Sequence, residues 1–243
     1  VAIKSPTSGR VKLIPAKSEI TIRELLNHTS GIAGSLSDTQ ASVKTKITAL
    51  AKMPLQSQPG EEFHYGYSYD VLGYLVEVIS HMPFNEYLGK RIFEPLKMND
   101  TYFNIPQNKY SRLSSLYKNN SGKLELVTDD FSSSVPQIYF SGGGGLISTA
   151  SDYLRFARMI LNKGELEGVR ILSRKTIELI TSNSIGDLFI YNPSKTNLGI
   201  IADKYGYGFG IRTERGVYND LESMGTFGWD GAFYTRLWID PKE

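Results

Sequence analysis

The chain has 243 residues, of which 40% are hydrophobic and 21% charged, an ordinary globular composition for a chain long enough to bury a substantial core. Its 27 basic and 25 acidic residues nearly cancel to a net charge of +2, and no basic cluster is long enough to predict a nucleic-acid or membrane-surface partner. The absence of cysteine excludes disulfides and thiol nucleophiles, and with only three histidines neither a metal nor a cofactor is predicted. No apolar run approaches the ~20 residues that span a bilayer, so no membrane segment is predicted.

The first third of the chain predicts three helices. Thr21 and Glu24 form a Thr-x-x-Glu capping box, which places a helix start at Ile22. Residues 39–52 have helical composition and are stopped by Pro54. A third helix, immediately after Tyr65, follows from apolar residues at a 3.6-residue period: Val71, Leu72, Leu75, Val76 and Ile79. This helix is expected to belong to the core.

The middle of the chain predicts one more helix and a hairpin. Apolar residues spaced four apart indicate a helix ending near Pro95: Phe84, Leu88 and Ile92. The strand-like runs 112–117 and 123–127 flank Asn-Asn-Ser-Gly at residues 119–122, which has turn-forming chemistry. We therefore expect a hairpin near 112–127.

The last part of the chain predicts two helices and two strands. Thr149 and Asp152 repeat the capping-box pattern before a helix that reaches about Asn162. The remaining predicted elements are a helix over 173–181 and strands over 207–213 and 232–239. Because no repeat or linker separates the parts, we expect a single domain over 1–243, mostly helical over about 18–182, with sheet strands over about 200–243.

Three motifs carry a resemblance to a known family. They are Tyr65-Gly-Tyr-Ser-Tyr-Asp-Val-Leu-Gly73, Leu25-Leu-Asn-His-Thr-Ser-Gly31 and Trp229-Asp-Gly-Ala232. Together they make the chain similar to the serine hydrolases that include class C β-lactamases, DD-peptidases and family VIII carboxylesterases. The resemblance implies an α+β, β-lactamase/transpeptidase-like fold: a helical lobe and part of an antiparallel sheet, which we expect to be truncated at both ends.

The resemblance assigns a catalytic role to Tyr65. The family acylates a serine in a Ser-x-x-Lys motif, and a tyrosine and the lysine move the protons. Tyr65 stands at that tyrosine, eight residues before Gly73, as in the esterase form. An ordinary phenol has a pKa near ~10, so this role requires nearby cations. Tyr67 occupies the position where β-lactamases carry asparagine, which disfavours a β-lactamase, and it is a candidate substrate-binding residue.

The motif at 229–232 resembles the family's substrate-binding strand. Trp229 replaces the lysine of β-lactamases, as in the Trp-Gly-Gly subset of esterases. The Ala232 N–H is then a donor to the oxyanion, and losing one such donor typically costs ~3 kcal/mol. Trp229, Asp230 and Gly231 are candidate substrate-binding residues, although Asp230 places a negative charge where the family has glycine or threonine. A hairpin turn is an equally good interpretation, and both can hold.

The expected nucleophile is not found in the family's context. Only Ser115 has a lysine three residues later, Lys118, and the pair falls in a strand-like run where the two side chains point to opposite faces. We therefore interpret the chain as an inactive internal fragment whose parent is an esterase-type serine hydrolase. A β-lactamase or DD-peptidase parent is one alternative. A non-catalytic binding or scaffold protein with the same fold is the other.

Other conspicuous residues favour structural interpretations. His28, in the His-Thr-Ser-Gly motif, is expected to be buried and structural. The Ser-Gly-Gly-Gly-Gly run at 141–145 lacks the P-loop pattern and suits close backbone packing. Tyr67, Tyr139 and Trp229 suggest an aromatic cleft for a small ester, β-lactam or peptide-like substrate. Exposed sheet edges and apolar surface also predict self-association.

Overall fold

The computed structural model describes residues 2–4, 13–32, 42–127, 138–190, 204–213 and 221–243. The α-helices are α1 (Ile22–Leu26), α2 (Val43–Leu50), α3 (Ser68–Ser80), α4 (Phe84–Leu88), α5 (Ala150–Leu161) and α6 (Arg174–Ile180). The strands are β1 (Ala2–Lys4), β2 (Leu13–Pro15), β3 (Tyr117–Asn120), β4 (Lys123–Leu126), β5 (Glu165–Leu166), β6 (Val169–Arg170), β7 (Lys204–Tyr205), β8 (Gly210–Ile211), β9 (Phe227–Asp230) and β10 (Arg236–Ile239). The predicted α+β class is confirmed.

The last four strands form an antiparallel sheet in the order β10-β9-β8-β7. Helices α5 and α6 pack on this sheet through one apolar cluster, in which Met159, Ile160 and Ile177 meet Ile211 and Phe227. These helices and the sheet therefore share a core. Within the described ranges, no helix is both long and apolar enough to cross a membrane.

The first two helices begin where the sequence indicated. Thr21 Oγ1 accepts from the Glu24 N–H at 3.3 Å, and Glu24 Oε2 accepts from the Thr21 N–H at 2.7 Å, so the capping box is confirmed. Helix α2 starts at Val43 after an N-cap at Ser42. The first residues of the predicted helix over 39–52 lie outside the described residues.

The second predicted capping box forms only in part. Thr149 Oγ1 accepts from the Asp152 N–H at 3.2 Å and caps α5. The Asp152 carboxylate does not return to Thr149, because it accepts from the Asp100 N–H at 2.6 Å and from the Thr101 hydroxyl at 3.0 Å. Half of the prediction is wrong because a tertiary contact competes with the local one.

Helix α3 differs from its predicted packing. Its fully buried residues are Ser68, Asp70 and Gly73, whereas Ile79, part of the predicted apolar stripe, is 68% exposed. The reason is a close approach: a Cβ on Gly73 would lie 3.3 Å from the backbone of Gly142. A backbone turn therefore packs on this helix where an apolar side chain was expected.

The β3–β4 hairpin exists, but its first predicted strand is wrong. Residues 107–112 form a 3₁₀ helix, and β3 begins at Tyr117. Both residues between the strands have positive φ, 52° at Ser121 and 88° at Gly122. Two such residues make the tight turn that suits a two-residue hairpin, which moves the preceding asparagines into the strand. The helix at Phe84 also changes at Gly89 into a π-helix over Gly89–Phe93.

The predicted strands over 207–213 and 232–239 are each partly wrong. The first is interrupted by a turn in which the Gly206 N–H donates to Phe209 O, so that β7 and β8 are separate strands. In the second, the chain turns before β10 because Gly231 and Thr235 are hydrogen-bonded across a loop in which Tyr234 has a φ of 62°. Turn chemistry overrides the β-forming residue types in both places.

Candidate active site

Tyr65 lies in the loop before α3 and meets the end of β9. Its ring stacks on Trp229 with centroids 5.3 Å apart and planes 30° from parallel. The side chain of Tyr65 is 57% exposed, so its hydroxyl can be reached from solvent. Two motifs that are 164 positions apart in the sequence therefore form one surface.

The motif at 229–232 spans the end of β9 and the turn that follows it. Gly231 N–H donates to Thr235 O at 2.7 Å, and a Cβ on Gly231 would lie 2.1 Å from Thr235 Oγ1, so a larger residue would require the Thr235 side chain to move. Among the described residues, no hydrogen bond engages the Ala232 N–H. The hairpin interpretation is confirmed.

Asp230 is held across the hairpin. Its Oδ1 accepts from Trp238 Nε1 at 3.1 Å, and its Oδ2 lies 3.4 Å from the Arg236 guanidinium. Because neighbouring residues of a strand point to opposite faces, Asp230 is on the face opposite Trp229. The arginine offsets the negative charge that the sequence placed beside the substrate.

A cavity of about 110 Å³ lies beneath Tyr65. Its walls are aromatic rings, one histidine and four glycines, and no lysine, arginine, aspartate or glutamate contributes to them. The lining residues include Tyr65, Tyr69, Tyr205, Trp229, His28 and Gly142. The cavity therefore suits a small uncharged group.

His28 is buried at the cavity and surrounded by rings. It is 1% exposed, and its ring lies 4.7 Å from that of Tyr65 and 4.8 Å from that of Tyr69, measured between centroids. Burial lowers its pKa to about 4. No described residue hydrogen bonds to either ring nitrogen. The prediction of a buried histidine is confirmed, and a neutral imidazole of such low pKa is a poor base.

Two further tyrosines in this cluster were missed by the sequence analysis. The Tyr69 hydroxyl donates to Leu26 O at 2.7 Å, and the Tyr205 ring lies 5.5 Å from that of His28, measured between centroids. Burial is the main cause that raises the pKa of both phenols, so both stay protonated. Tyr69 belongs to the motif that begins at Tyr65, and this was the signal that the sequence offered for it. Nothing in the sequence indicated Tyr205.

Two members of the predicted aromatic cleft do not line this cavity. Tyr67 is the N-cap residue of α3, and Tyr139 hydrogen bonds to Asp70 behind the cavity wall. The glycine run behaves as predicted, since a Cβ on Gly142 would lie 1.9 Å from Tyr69 O. Of that predicted cleft, the structure places Trp229 at the cavity.

The Ser115 and Lys118 pair has no helical geometry. Ser115 precedes β3 and is exposed, while Lys118 is an exposed residue of β3 opposite Glu125. The two residues therefore do not share one face of a helix, as the serine and lysine of a Ser-x-x-Lys motif do. In the described ranges, no group of three histidine, aspartate or glutamate side chains lies close enough to hold a metal ion.

Comparison with known proteins places the chain among relatives of mixed activities. Protein Rv1367c of Mycobacterium tuberculosis (strain ATCC 25618 / H37Rv) is 31% identical over 264 residues, covering 100% of this chain and 65% of the relative. A protein named Putative D-alanyl-D-alanine carboxypeptidase, from Salmonella typhi, is 25% identical and covers 94% of this chain and 56% of the relative. The chain thus spans less than two thirds of the length of these relatives.

Solved structures share the fold at low identity. Simvastatin synthase (LovD) from Aspergillus terreus superposes with a TM-score of 0.77 at 22% identity, covering 100% of this chain and 65% of that one. EstCE1, described as a hydrolase with promiscuous acyltransferase activity, gives a TM-score of 0.75 at 21% identity, with 92% and 64% covered. The fold is therefore β-lactamase/transpeptidase-like. A sequence profile of the Beta-lactamase family matches residues 6–243, and the chain belongs to that family.

Proposed function

We propose that the parent protein is an esterase-type serine hydrolase that works through an acyl-enzyme. A serine oxygen attacks the ester carbonyl carbon, and the serine proton passes to Tyr65, which delivers it to the departing alcohol. The Ala232 N–H donates to the oxyanion while the tetrahedral intermediate exists. Water then hydrolyses the acyl-enzyme by the reverse path and restores the serine.

The observation that carries this proposal is the stacking of Tyr65 on Trp229 above the cavity. It brings the candidate proton-transfer group to strand β9, and the turn after β9 contains the candidate oxyanion donor, Ala232. Trp229 and Gly231 then border the acyl group. Tyr67 and Asp230, the other two substrate-binding candidates, receive no substrate contact in this proposal, because neither lines the cavity. No cofactor has a role in this chemistry.

The proposal assigns the serine and its lysine partner to residues of the parent outside these 243. The one Ser-x-x-Lys spacing in these 243 residues is that of Ser115 and Lys118, which are exposed at the β3–β4 hairpin and do not lie on a helix. The lysine ammonium would stabilise the phenolate of Tyr65. On this account, the 243-residue chain alone turns over no ester.

A β-lactamase or DD-peptidase is the second candidate. The family description and the relative named as a putative carboxypeptidase favour it. Tyr67 and Trp229, where β-lactamases carry asparagine and lysine, favour the esterase. A non-catalytic protein of the same fold is the third candidate, and the experiment below separates all three.

Changing Tyr65 to phenylalanine in the full-length parent is expected to lower kcat/KM for a short p-nitrophenyl ester about a hundredfold, since general acid–base catalysis is typically worth at least that much. Tyr117→Phe is the matched control, because Tyr117 is also about half exposed, at 55%, but lies on β3. Its activity should stay within about twofold. Ester hydrolysis and fluorophosphonate labelling, read by intact mass, are the measurements.

Each candidate gives a different result. Labelling with ester turnover that depends on Tyr65 supports the esterase. Faster turnover of a chromogenic cephalosporin or a D-alanyl-D-alanine peptide than of esters would favour the second candidate. A full-length parent without any label or turnover would leave the non-catalytic candidate.

We also propose that the chain self-associates. One face of the β3–β4 hairpin exposes three apolar side chains that the strand register places side by side: Tyr117, Leu124 and Leu126. Such a face loses unfavourable contact with water by packing on a second copy. We expect light scattering to show a mass above 27.1 kDa that rises with concentration. Leu124→Lys should shift the chain toward the monomer, and a wild-type monomer at all concentrations would contradict the proposal.

A further inference from the structure

A buried carboxylate and a buried ammonium lie behind the cavity wall, apart from the residues assigned to chemistry. Asp70 on α3 is 4% exposed, and Lys46 on α2 is 7% exposed. Charged side chains are rarely so buried unless they have partners. Both contact Tyr139: its hydroxyl donates to Asp70 Oδ1, and the Lys46 ammonium lies 3.7 Å from its ring centroid. The Lys46 ammonium thus lies over the face of the Tyr139 ring, while the Tyr139 hydroxyl donates to the Asp70 carboxylate.

Asp70 receives a second hydroxyl from the same segment. Ser141 Oγ donates to Asp70 Oδ1 at 2.5 Å and accepts from the Gly143 N–H at 3.0 Å. Burial, followed by the hydrogen bond to Asp70, raises the pKa of Tyr139, so its phenol stays protonated and donating. One carboxylate oxygen therefore fastens residues 139–143 to α3 at two points.

The fastened segment forms one wall of the cavity. Gly142 and Gly143 both line it, and Gly142 packs directly on the backbone of α3 at Tyr69. The contact itself is between two backbones, and the hydrogen bonds to Asp70 fasten the turn beside it. Asp70 lies only five residues after Tyr65, on the same loop and helix junction. A single segment therefore fixes both sides of the cavity.

We propose that Asp70 is a positioning residue that, through Tyr139 and Ser141, holds the glycine turn 141–143 against α3 and so fixes the width of the cavity beside Tyr65. Lys46 balances the charge of Asp70 through the Tyr139 ring. Asp70 touches no reacting atom in this role. Its kinetic consequence rests on the proposed function, whereas its effect on the turn does not.

Substitutions at Asp70 and Ser141 should loosen the glycine turn without unfolding the protein. Asp70→Asn keeps an oxygen acceptor for the two hydroxyls, but it removes the charge that strengthens both hydrogen bonds and balances Lys46. Ser141→Ala removes one of the two attachments and leaves the other. In both variants the turn should loosen while Tyr65 keeps its own contacts. Substrate binding should then weaken more than the chemical step.

The first test measures amide hydrogen exchange by NMR on the 243-residue chain. In Asp70→Asn, exchange at Gly143 should accelerate about tenfold although its own acceptor, Ser141, is still present, because the turn opens more often once the charge that strengthens its two attachments is removed. Tyr139→Phe removes one attachment and serves if Asp70→Asn does not fold. Ser80→Ala is the matched control on the same helix, where the hydroxyl donates to Met82 O. Its effect at Gly143 should be negligible.

The second test measures kinetics in the full-length parent. Ser141→Ala should raise KM for a p-nitrophenyl ester about fivefold with kcat within about twofold, and Ser141→Thr should restore KM by returning a hydroxyl. Unchanged exchange at Gly143 in both Asp70→Asn and Tyr139→Phe would overturn the proposal, as would an unchanged KM in an active Ser141→Ala. An inactive wild-type parent would instead refute the proposed function, and the exchange measurement would still decide the role of Asp70.

Discussion

Replacing Gly142 with alanine is expected to lower the free energy of unfolding by about 3 kcal/mol or more, the upper part of the range for overpacking. The added Cβ would lie 1.9 Å from Tyr69 O and 2.7 Å from Tyr69 C. These are backbone atoms of α3, so no side-chain rotation can relieve the clash. Either the turn must leave the helix or the helix must move, and each change opens the cavity wall.

Gly144→Ala is the matched control for this substitution. Gly144 lies two residues later in the same glycine run, and a Cβ there would meet no atom within 4 Å. Its unfolding free energy should change by less than ~0.5 kcal/mol. Urea denaturation at pH 7 measures both variants. Equal midpoints for the two would show that Gly142 does not pack on α3.

Acid is expected to destabilise the protein through His28, by an amount approaching about 3 kcal/mol, because each pH unit between the two pKa values is worth ~1.4 kcal/mol. The folded pKa is lowered to about 4 from an ordinary 6.5 by burial. Above pH 6.5, neither the folded nor the unfolded chain binds this proton. As the pH falls from 6.5 to 4, only the unfolded chain binds it, so stability is lost across this window and levels off below it.

The groups around His28 do not offset this loss. The rings within reach are those of Phe63, Tyr65, Tyr69 and Tyr205, and none is a carboxylate that would hold an imidazolium. Exposed carboxyls such as Glu167, whose pKa its Arg155 and Lys97 partners lower to about 2, lose their stabilising effect at lower pH. The pH range therefore separates the two sources.

His28→Asn is the informative variant. His28 has a φ of 58°, in the left-handed region that asparagine tolerates best among non-glycine residues. The variant should be less stable at pH 7 but should lose the decline between pH 6.5 and 4. His81→Asn is the matched control, since His81 has a φ of 54° and is exposed. It should keep the decline. An NMR titration of His28 with a midpoint near 6.5 in the folded protein would contradict the prediction.

Local signals in the sequence predicted the helix starts well and the strand limits poorly. The N-caps at Thr21 and Thr149 are satisfied within one turn of chain, so residue types suffice to find them. The predicted strand over 207–213 is partly wrong because a turn between Gly206 and Phe209 separates β7 from β8, although the residue types there favour a strand. The predicted capping-box contact of Asp152 is wrong for the opposite reason, since its carboxylate accepts from the Asp100 N–H, 52 positions away in the sequence.

Short motifs in the sequence singled out Tyr65, Trp229 and His28, which the structure places around one cavity. The sequence did not find Tyr205 or the roles of Lys46 and Asp70, because these depend on contacts between separate elements. Lys46 and Tyr139 are 93 positions apart, and no local pattern distinguishes a buried lysine from a solvated one. The roles assigned to Tyr65 and Ala232 stay proposals until the variants are measured.

The sequence by itself determined the family, the α+β class and the motif that ends in Ala232, because each depends on residue types in a fixed local order. Only the tertiary structure decided that Tyr65 stacks on Trp229, that aromatic rings surround His28 and its pKa is lowered, and that the glycine turn packs on α3 at Tyr69. These features arise when distant segments exclude water from a shared space. Burial then sets both the pKa values and the hydrogen-bond partners, and the order of residues alone does not specify it.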